Sequence, residues 1–411
     1  MRRCAREHAR HRGCALKGLS RGRELWPFAA LSASYFAHIG FFNPYLPLWL
    51  KDAGFGLFAI SLLTSMQSAT RLFAPYAWGW LSDHTGERVR LLRFCSMVAL
   101  CCSAGLWFEL SLWGLVLLLL LMFTHTSAMM PMSEAALAQL VSRAGGFDAR
   151  RYGRVRLCGS VGFLLTVLAA GAWFEAHGMS SFPAWTAGTL VLLVASCWWL
   201  PDQREPVQAG ARSESIWPVL RRPEVAWFFG AVFLHVMAHV AVYVFFSLYI
   251  DSLGYGKSVI GLLWAVSVLV EIGWFFTQAR WLPRLSHGAW LLLAAGLAVL
   301  RFAVTAAGGG WLWLLFAAQL LHAITFAAHH SVCIALLGQY FPARLRGRGQ
   351  ALYAVLGYGL SGVIGGLLGA WISPRWGLGA VFWFAAAVAL LACGAAWRML
   401  AAQRRLRPAA R

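Results

Sequence analysis

Residues 57–110 read LFAISLLTSMQSATRLFAPYAWGWLSDHTGERVRLLRFCSMVALCCSAGLWFEL. Two apolar stretches, roughly 57–81 and 92–110, flank a short loop that holds most of the charge. Each is close to the ~20 residues that a helix needs to cross the hydrocarbon core of a bilayer. The pattern continues in both directions. Further apolar stretches lie at roughly 27–50, 113–139, 156–175, 183–200, 226–250, 258–279, 288–307, 311–338, 350–372 and 378–399, which makes twelve in all.

Composition agrees with a membrane protein. The 411 residues are 60% hydrophobic and 12% charged, against roughly 25% charged in soluble domains. A formal charge of +20 would suit a nucleic-acid binder, but the basic residues are scattered in short runs between apolar stretches rather than gathered on one module, so no nucleic-acid partner is expected. All but five of the 35 Lys and Arg residues fall in the N-terminal segment, in loops near 82–93, 142–156, 201–222, 280–287 and 341–349, and near the C-terminus. Lys51, Lys257 and Arg375 lie on the other side, and Arg71 and Arg301 lie inside spans. By the positive-inside rule both termini are cytoplasmic, in a bacterial inner membrane, which requires an even number of spans.

The polar stretch 201–225 divides the chain in two. The expected organisation is an Arg-rich cytoplasmic tail at 1–25, a six-helix bundle at 26–200, a linker at 201–225, a second six-helix bundle at 226–400 and a tail at 401–411. Residues 1–25 lack the uncharged core and small-residue cleavage site of a secretory signal. They read as a lipid-touching tail or as residues outside the native protein. The nine cysteines form no CxxC pair and read as packing residues.

The halves resemble each other. Ala37-His38 followed by Asp52-Ala53-Gly54-Phe55-Gly56 matches Ala238-His239 followed by Asp251-Ser252-Leu253-Gly254-Tyr255-Gly256. The loop Ala149–Arg154 matches Ala343–Arg348. Parallel repeats of this kind suit a transporter that rocks about a central site.

The loop Gly79-Trp80-Leu81-Ser82-Asp83-His84-Thr85-Gly86-Glu87-Arg88 resembles the signature loop of the major facilitator superfamily, G-x-x-x-D-[RK]-x-G-[RK]-[RK]. Gly79, Asp83, Gly86 and Arg88 match it, while His84 and Glu87 stand at basic positions. The resemblance implies a gating role for the four matching residues, with Gly79 allowing close helix approach and Asp83 capping the third helix and pairing with a cytoplasmic Arg to lock the halves. Tyr152–Val161, Gln319–Phe326 and His239–Tyr249 are similar to the phenylpropionate permease subgroup, which is related to lactose-permease-like proton symporters. That similarity implies an all-α fold of twelve transmembrane helices in two pseudo-symmetric bundles, and proton-driven uptake of an aromatic monocarboxylate.

Ionisable groups inside a span are costly and commonly face a cavity. At ~1.5 Å per residue, Arg301 lies about 10 Å from the non-cytoplasmic surface, His322 about 16 Å, Glu271 about 20 Å and Arg71 about 22 Å. Glu271, Arg301 and His322, on spans eight, nine and ten, are the candidate proton-coupling set. A carboxyl whose cationic partner moves during the cycle can take up and release a proton, with His322 as relay. The lactose-permease-like symporters carry a second carboxylate one turn after that histidine. Here the place is Thr325, so Glu271 would act alone. The alternative is a static Glu271–Arg301 ion pair.

Arg71 is the candidate anchor for an anionic substrate, because its planar fork suits a carboxylate. His38 and His239, matched across the repeat and near mid-depth, are expected to line the cavity, with Tyr35, Tyr243 and Trp264 offering ring contacts. Glu134 and Arg156 are expected to pair as a gate or a structural bridge. His235 and His239 have metal-pair spacing, but no Cys or carboxylate completes a site, so no metal and no cofactor are expected. Neither an HExxH helix nor a complete G-x-x-x-x-G-K-[ST] phosphate loop occurs, which argues against an enzyme or an ATP-driven pump. The reading is a monomeric secondary transporter of a small solute and a proton. A sugar or nucleoside symporter, a drug exporter and a transporter-derived sensor are the alternatives.

Overall fold

The computed structural model describes residues 24–142, 149–202, 215–342 and 345–406, and among these it is helical with no strand. Ten helical stretches are long and apolar enough to cross a membrane: Arg88–Trp107, Leu112–Leu137, Arg151–His177, Met179–Trp199, Pro223–Ser252, Lys257–Arg284, His287–Ala307, Leu312–Tyr340, Arg346–Trp376 and Leu378–Arg405. They are spans three to twelve. The first two expected spans are also helical. Span one is Trp26–Asp52, whose apolar residues are diluted by His38, Asn43, Pro44 and Pro47. Span two is broken into Leu57–Thr70 and Ala74–Thr85 by a turn at Arg71, with Leu72 N–H donating to Ala69 O at 3.1 Å.

Two boundaries differ from expectation. The last helix runs to Leu406, so residues 401–406 of the expected tail are helical. Within the expected linker, Trp217–Leu220 form a helical turn. Residues 1–23, with Cys4 and Cys14, residues 143–148, residues 203–214 of the linker, Ala343 and Arg344 of the second repeat match, and residues 407–411 lie outside the described residues.

The polarity of the fold is inverted relative to a water-soluble protein. Trp113 and Phe276 are 74% and 71% exposed on the outside, where lipid replaces water. Arg301 is among the largest fully buried side chains. Small residues let the helices approach, as expected where lipid is as apolar as the interior. A Cβ at Gly162 would collide with the Ala33 carbonyl, and one at Gly40 with the Phe163 backbone, so spans one and five meet through these glycines. At Gly79, by contrast, a Cβ would meet nothing within 4 Å, so the close approach expected there does not occur.

The repeat is visible in the backbone. Gly54 and Gly254 both adopt φ +86° after their helices. Phe55 N–H donates to Leu50 O at 3.0 Å, and Tyr255 N–H donates to Ile250 O at 3.3 Å. Both helices thus end in the same glycine-dependent turn, which the left-handed region reserves for a residue without a Cβ.

Between the halves, span five packs along span eight and span two along span eleven. The end of the molecule away from the Arg-rich loops is tied shut. Lys51 Nζ meets Asp251 Oδ2 at 2.7 Å, and Lys257 meets Asp251 Oδ1 at 3.6 Å. The Glu175 carboxylate accepts from the Lys257 and Ser258 amides, where span eight begins. Tyr45 O–H reaches Val167 O and Lys257 O at 3.0 and 3.2 Å.

Three spans of the second half contain π-helical segments: Ala241–Phe245, Ala323–Ala328 and Ala354–Leu360. Such widened turns are uncommon and cluster at functional sites.

Candidate transport site

Arg301 is 1% exposed and is held by three side chains of span ten. Its guanidinium donates to His322 Nδ1 at 3.0 Å, Thr325 Oγ1 at 3.0 Å and Gln319 Oε1 at 2.8 Å. Ser267 O–H of span eight donates to the same Gln319 oxygen at 2.6 Å. A guanidinium only donates, so His322 Nδ1 must accept. In the neutral ring the proton then sits on Nε2, which faces Glu271 Oε2 at 3.7 Å. That distance is too long for a direct hydrogen bond. A shift of about 0.5–1 Å brings the two atoms into hydrogen-bond range.

The three groups expected to gather on spans eight, nine and ten therefore do so, but the order differs from a static Glu271–Arg301 pair. The imidazole stands between carboxylate and guanidinium. Thr325, where the related symporters have a carboxylate, supplies a hydroxyl to the guanidinium instead.

Arg71 sits at the break in span two and has no hydrogen-bond or ion-pair partner among the described residues. Its charge is felt by Tyr35 of span one, Tyr243 of span seven and Tyr358 of span eleven. Tyr243 and Tyr358 also feel Glu271, and Tyr243 feels Arg301. Arg71, Tyr35, Tyr243, Glu271 and Tyr358 are all half-buried. The Tyr35 and Tyr243 hydroxyls have no hydrogen-bond partner among the described residues. Groups from both halves thus converge electrostatically, with polar atoms left open to a ligand or water.

Of the two matched histidines, His38 makes no contact with this set, whereas His239 is within electrostatic reach of Arg301 and His322. His38 is 2% exposed, packs against Phe41 and Phe42, and makes a 3.0 Å Nδ1 contact with Thr189 Oγ1 of span six. His239 is 2% exposed, with Nδ1 on His235 O at 2.8 Å and its ring against Phe302. His239 Nε2 is buried without a partner among the described residues, so the match across the repeat holds in sequence but not in surroundings. Trp264 gives its indole N–H to Ser247 Oγ at 3.2 Å. His235 stacks on His329 at 3.9 Å, and among the described residues no group of three His, Cys, Asp or Glu is placed to hold a metal.

In the signature-like loop, Gly86 caps the preceding helix at φ +66°, which explains that glycine without a gate. Asp83 does not cap span three, whose first residue lacks any side-chain cap. Its carboxylate meets Arg88 of the same loop at 3.3 Å, not a residue of the other half. Arg88 also donates to Ser82 Oγ at 3.1 Å.

Glu134 and Arg156 do pair, at 3.8 Å, with the guanidinium 4.4 Å from the Phe36 ring centroid. Beside them lies a cavity of about 10 Å³, lined in part by Ser32, Ser133 and Tyr152. That is room for roughly one water, and Ser32 Oγ is buried there without a partner.

Gln319, Ser267 and Tyr358 are not among the site residues expected from the sequence. Gln319 carried the one usable signal, an amide inside an apolar span that must find partners.

A model of the MFS_1 like family matches residues 25–384. The Probable 3-phenylpropionic acid transporter of Escherichia coli (strain K12) is 28% identical over 366 residues, covering 87% of this chain and 93% of that protein. The Maltose permease of Geobacillus stearothermophilus is 27% identical over 354 residues, covering 85% and 88%. Among solved structures, the nucleoside transporter NupG superposes with a TM-score of 0.75 at 15% identity, covering 91% of this chain and 98% of that one. A POT family transporter gives 0.73 at 12% identity, covering 95% and 97%. These two show the fold alone. Fold and relatives alike are those of transporters rather than enzymes, and the chain belongs to the MFS_1 like family as a multi-pass membrane transporter of the major facilitator type.

Proposed function

We propose that the protein is a proton-coupled importer of a small aromatic monocarboxylate, working as a monomer in a bacterial inner membrane with both termini in the cytoplasm. The observation that carries this reading is Arg71, a guanidinium without a partner among the described residues and within electrostatic reach of Tyr35, Tyr243 and Tyr358, two of which also lie within reach of Glu271. An unpaired cation at mid-depth is costly unless an anion completes it. A carboxylate matches its fork, and tyrosine rings suit an aromatic body.

Proton coupling follows from the order of the three side chains. Arg301 holds the Nδ1 lone pair of His322, so this imidazole presents an N–H to Glu271 and is poorly placed to accept a second proton. Glu271 is then the group that loads and releases the proton, and His322 is the donor that steadies its charged form. The likeness to the 3-phenylpropionic acid transporter supports the substrate class. The likeness to the maltose permease supports a neutral sugar, but such a substrate would leave Arg71 uncompensated.

Uptake into proteoliposomes tests the reading. Labelled 3-phenylpropionate is expected to accumulate when the outside is more acidic than the lumen and to equilibrate only when the gradient is collapsed. Arg71→Gln should lose uptake. Accumulation of maltose but not of the acid, or acid uptake indifferent to the gradient, would refute it.

A further inference from the structure

The short helical turn before span seven takes no part in the transport site. Ile216, Val219 and Leu220 pack against the apolar core of the second half. The Arg221 N–H donates to Trp217 O at 3.0 Å, which closes the turn. Residues four apart share a helix face, so Trp217 and Arg221 stand together on the outward side. Both are exposed, Trp217 by 65%. Span seven begins at Pro223, so this pair lies where the chain enters the bilayer, on the side of the Arg-rich loops.

Ser215, Trp217, Pro218, Leu220 and Arg221 line an open groove of about 470 Å³. The Arg221 guanidinium has no hydrogen-bond, ion-pair or ring partner among the described residues. Its neighbours in charge are all engaged. Arg222 meets Glu224 at 2.6 Å, and Arg93, Arg284 and Arg398 lie over the rings of Trp198, Trp281 and Trp397. Ser215 Oγ accepts from the Trp217 N–H at 3.4 Å, which leaves its own O–H open. The rest of the lining, Trp217, Pro218 and Leu220, is apolar. A soluble anion would use the guanidinium and the hydroxyl and leave this apolar part in water. A phospholipid fills both parts: its phosphate suits the planar fork of an arginine, and its glycerol and acyl carbons suit an indole at headgroup level.

We infer that this groove binds the headgroup of an anionic phospholipid, with Arg221 on the phosphate and Trp217 against the carbon chain. The inference goes beyond the proposed transport activity and stands whatever solute the protein carries. A zwitterionic lipid presents the same phosphate but adds an ammonium group, which the guanidinium repels. One arginine at a membrane surface therefore favours the anionic lipid by about fivefold.

The test measures, by native mass spectrometry of the purified full-length protein in neutral detergent, the dissociation constants of the first bound phosphatidylglycerol and of phosphatidylcholine with the same acyl chains. Both substituted positions are exposed, and elution as a single species checks the fold. The unmodified protein is expected to bind phosphatidylglycerol about fivefold more tightly. Arg221→Gln should bring the two constants to within about twofold of each other, and Trp217→Ala should weaken both lipids. Arg284→Gln, a basic residue outside the groove, should leave the preference unchanged. Equal binding of the two lipids by the unmodified protein, or a preference that survives Arg221→Gln, overturns the site. Equal loss of preference in Arg284→Gln would assign it to the basic rim as a whole and also overturns it. Displacement of the lipid by glycerol phosphate at equal concentration, or lipid binding untouched by Trp217→Ala, would make the groove a site for soluble anions and would overturn the lipid assignment.

Discussion

Lys51 and Asp251 occupy corresponding places at the ends of the first and seventh spans, 200 residues apart, and their side chains meet at 2.7 Å across the two halves. Each side chain follows its own helix to the same end of the molecule, where both helices finish in a turn on a φ +86° glycine. With Lys257 and the Glu175 carboxylate beside them, they close the end opposite the Arg-rich loops. Opening this end requires these contacts to part.

The Lys51–Asp251 bond is partly exposed, with the lysine side chain 49% accessible, so its strength is at most ~1 kcal/mol. Asp251→Asn should therefore loosen this end modestly. Alkylation of Ser258→Cys by a membrane-impermeant maleimide is expected to rise about two- to fivefold in the Asp251→Asn background. Glu175→Gln, which weakens the cap on span eight, should act in the same direction. Unchanged labelling in both would show that the closure lies elsewhere.

Gly162 and Gly79 should behave oppositely. Gly162→Ala places a methyl group against the Ala33 carbonyl and is expected to cost ~1–3 kcal/mol, read as a lower unfolding temperature in detergent. Gly79→Ala meets open space on a helix and should be neutral or stabilising by ~0.5 kcal/mol. The reverse order would mean that the packing of spans one and five is not as described.

Gln319 accepts from both Arg301 and Ser267, so Gln319→Leu leaves two buried donors short of a partner. A loss of ~2–3 kcal/mol is expected, because one donor is charged. Ser267→Ala removes a neutral donor and should cost ~1 kcal/mol. Thermal unfolding of the two variants side by side checks the difference, and equal effects would contradict the assigned network.

The spans and the meeting of Glu271, Arg301 and His322 were legible in the sequence because charge inside an apolar run is conspicuous and helix rise converts position into depth. Glu271, Arg301 and His322 met on that basis alone. Rotation about the helix axis was not legible. Where lipid is as apolar as the interior, no polar face marks the inside, and His38 turns to Thr189 of its own bundle. For the same reason Gly79 read as a close helix contact, whereas a Cβ there would meet nothing within 4 Å. The π-helical turns that carry Tyr243, Thr325, Phe326 and Tyr358 left no mark in composition, since they depend on packing between helices. The repeat, by contrast, was read correctly at Gly54 and Gly254 because a left-handed turn needs glycine whatever surrounds it.

The central claim is that Glu271 loads the transported proton, and Glu271→Gln tests it most directly. Exchange of labelled for unlabelled substrate across proteoliposomes at equal pH needs no net proton movement, and uptake against a concentration gradient does. The variant is expected to keep exchange and lose proton-driven accumulation. Accumulation at the level of the unmodified protein would show that the coupling proton binds elsewhere and would contradict the mechanism.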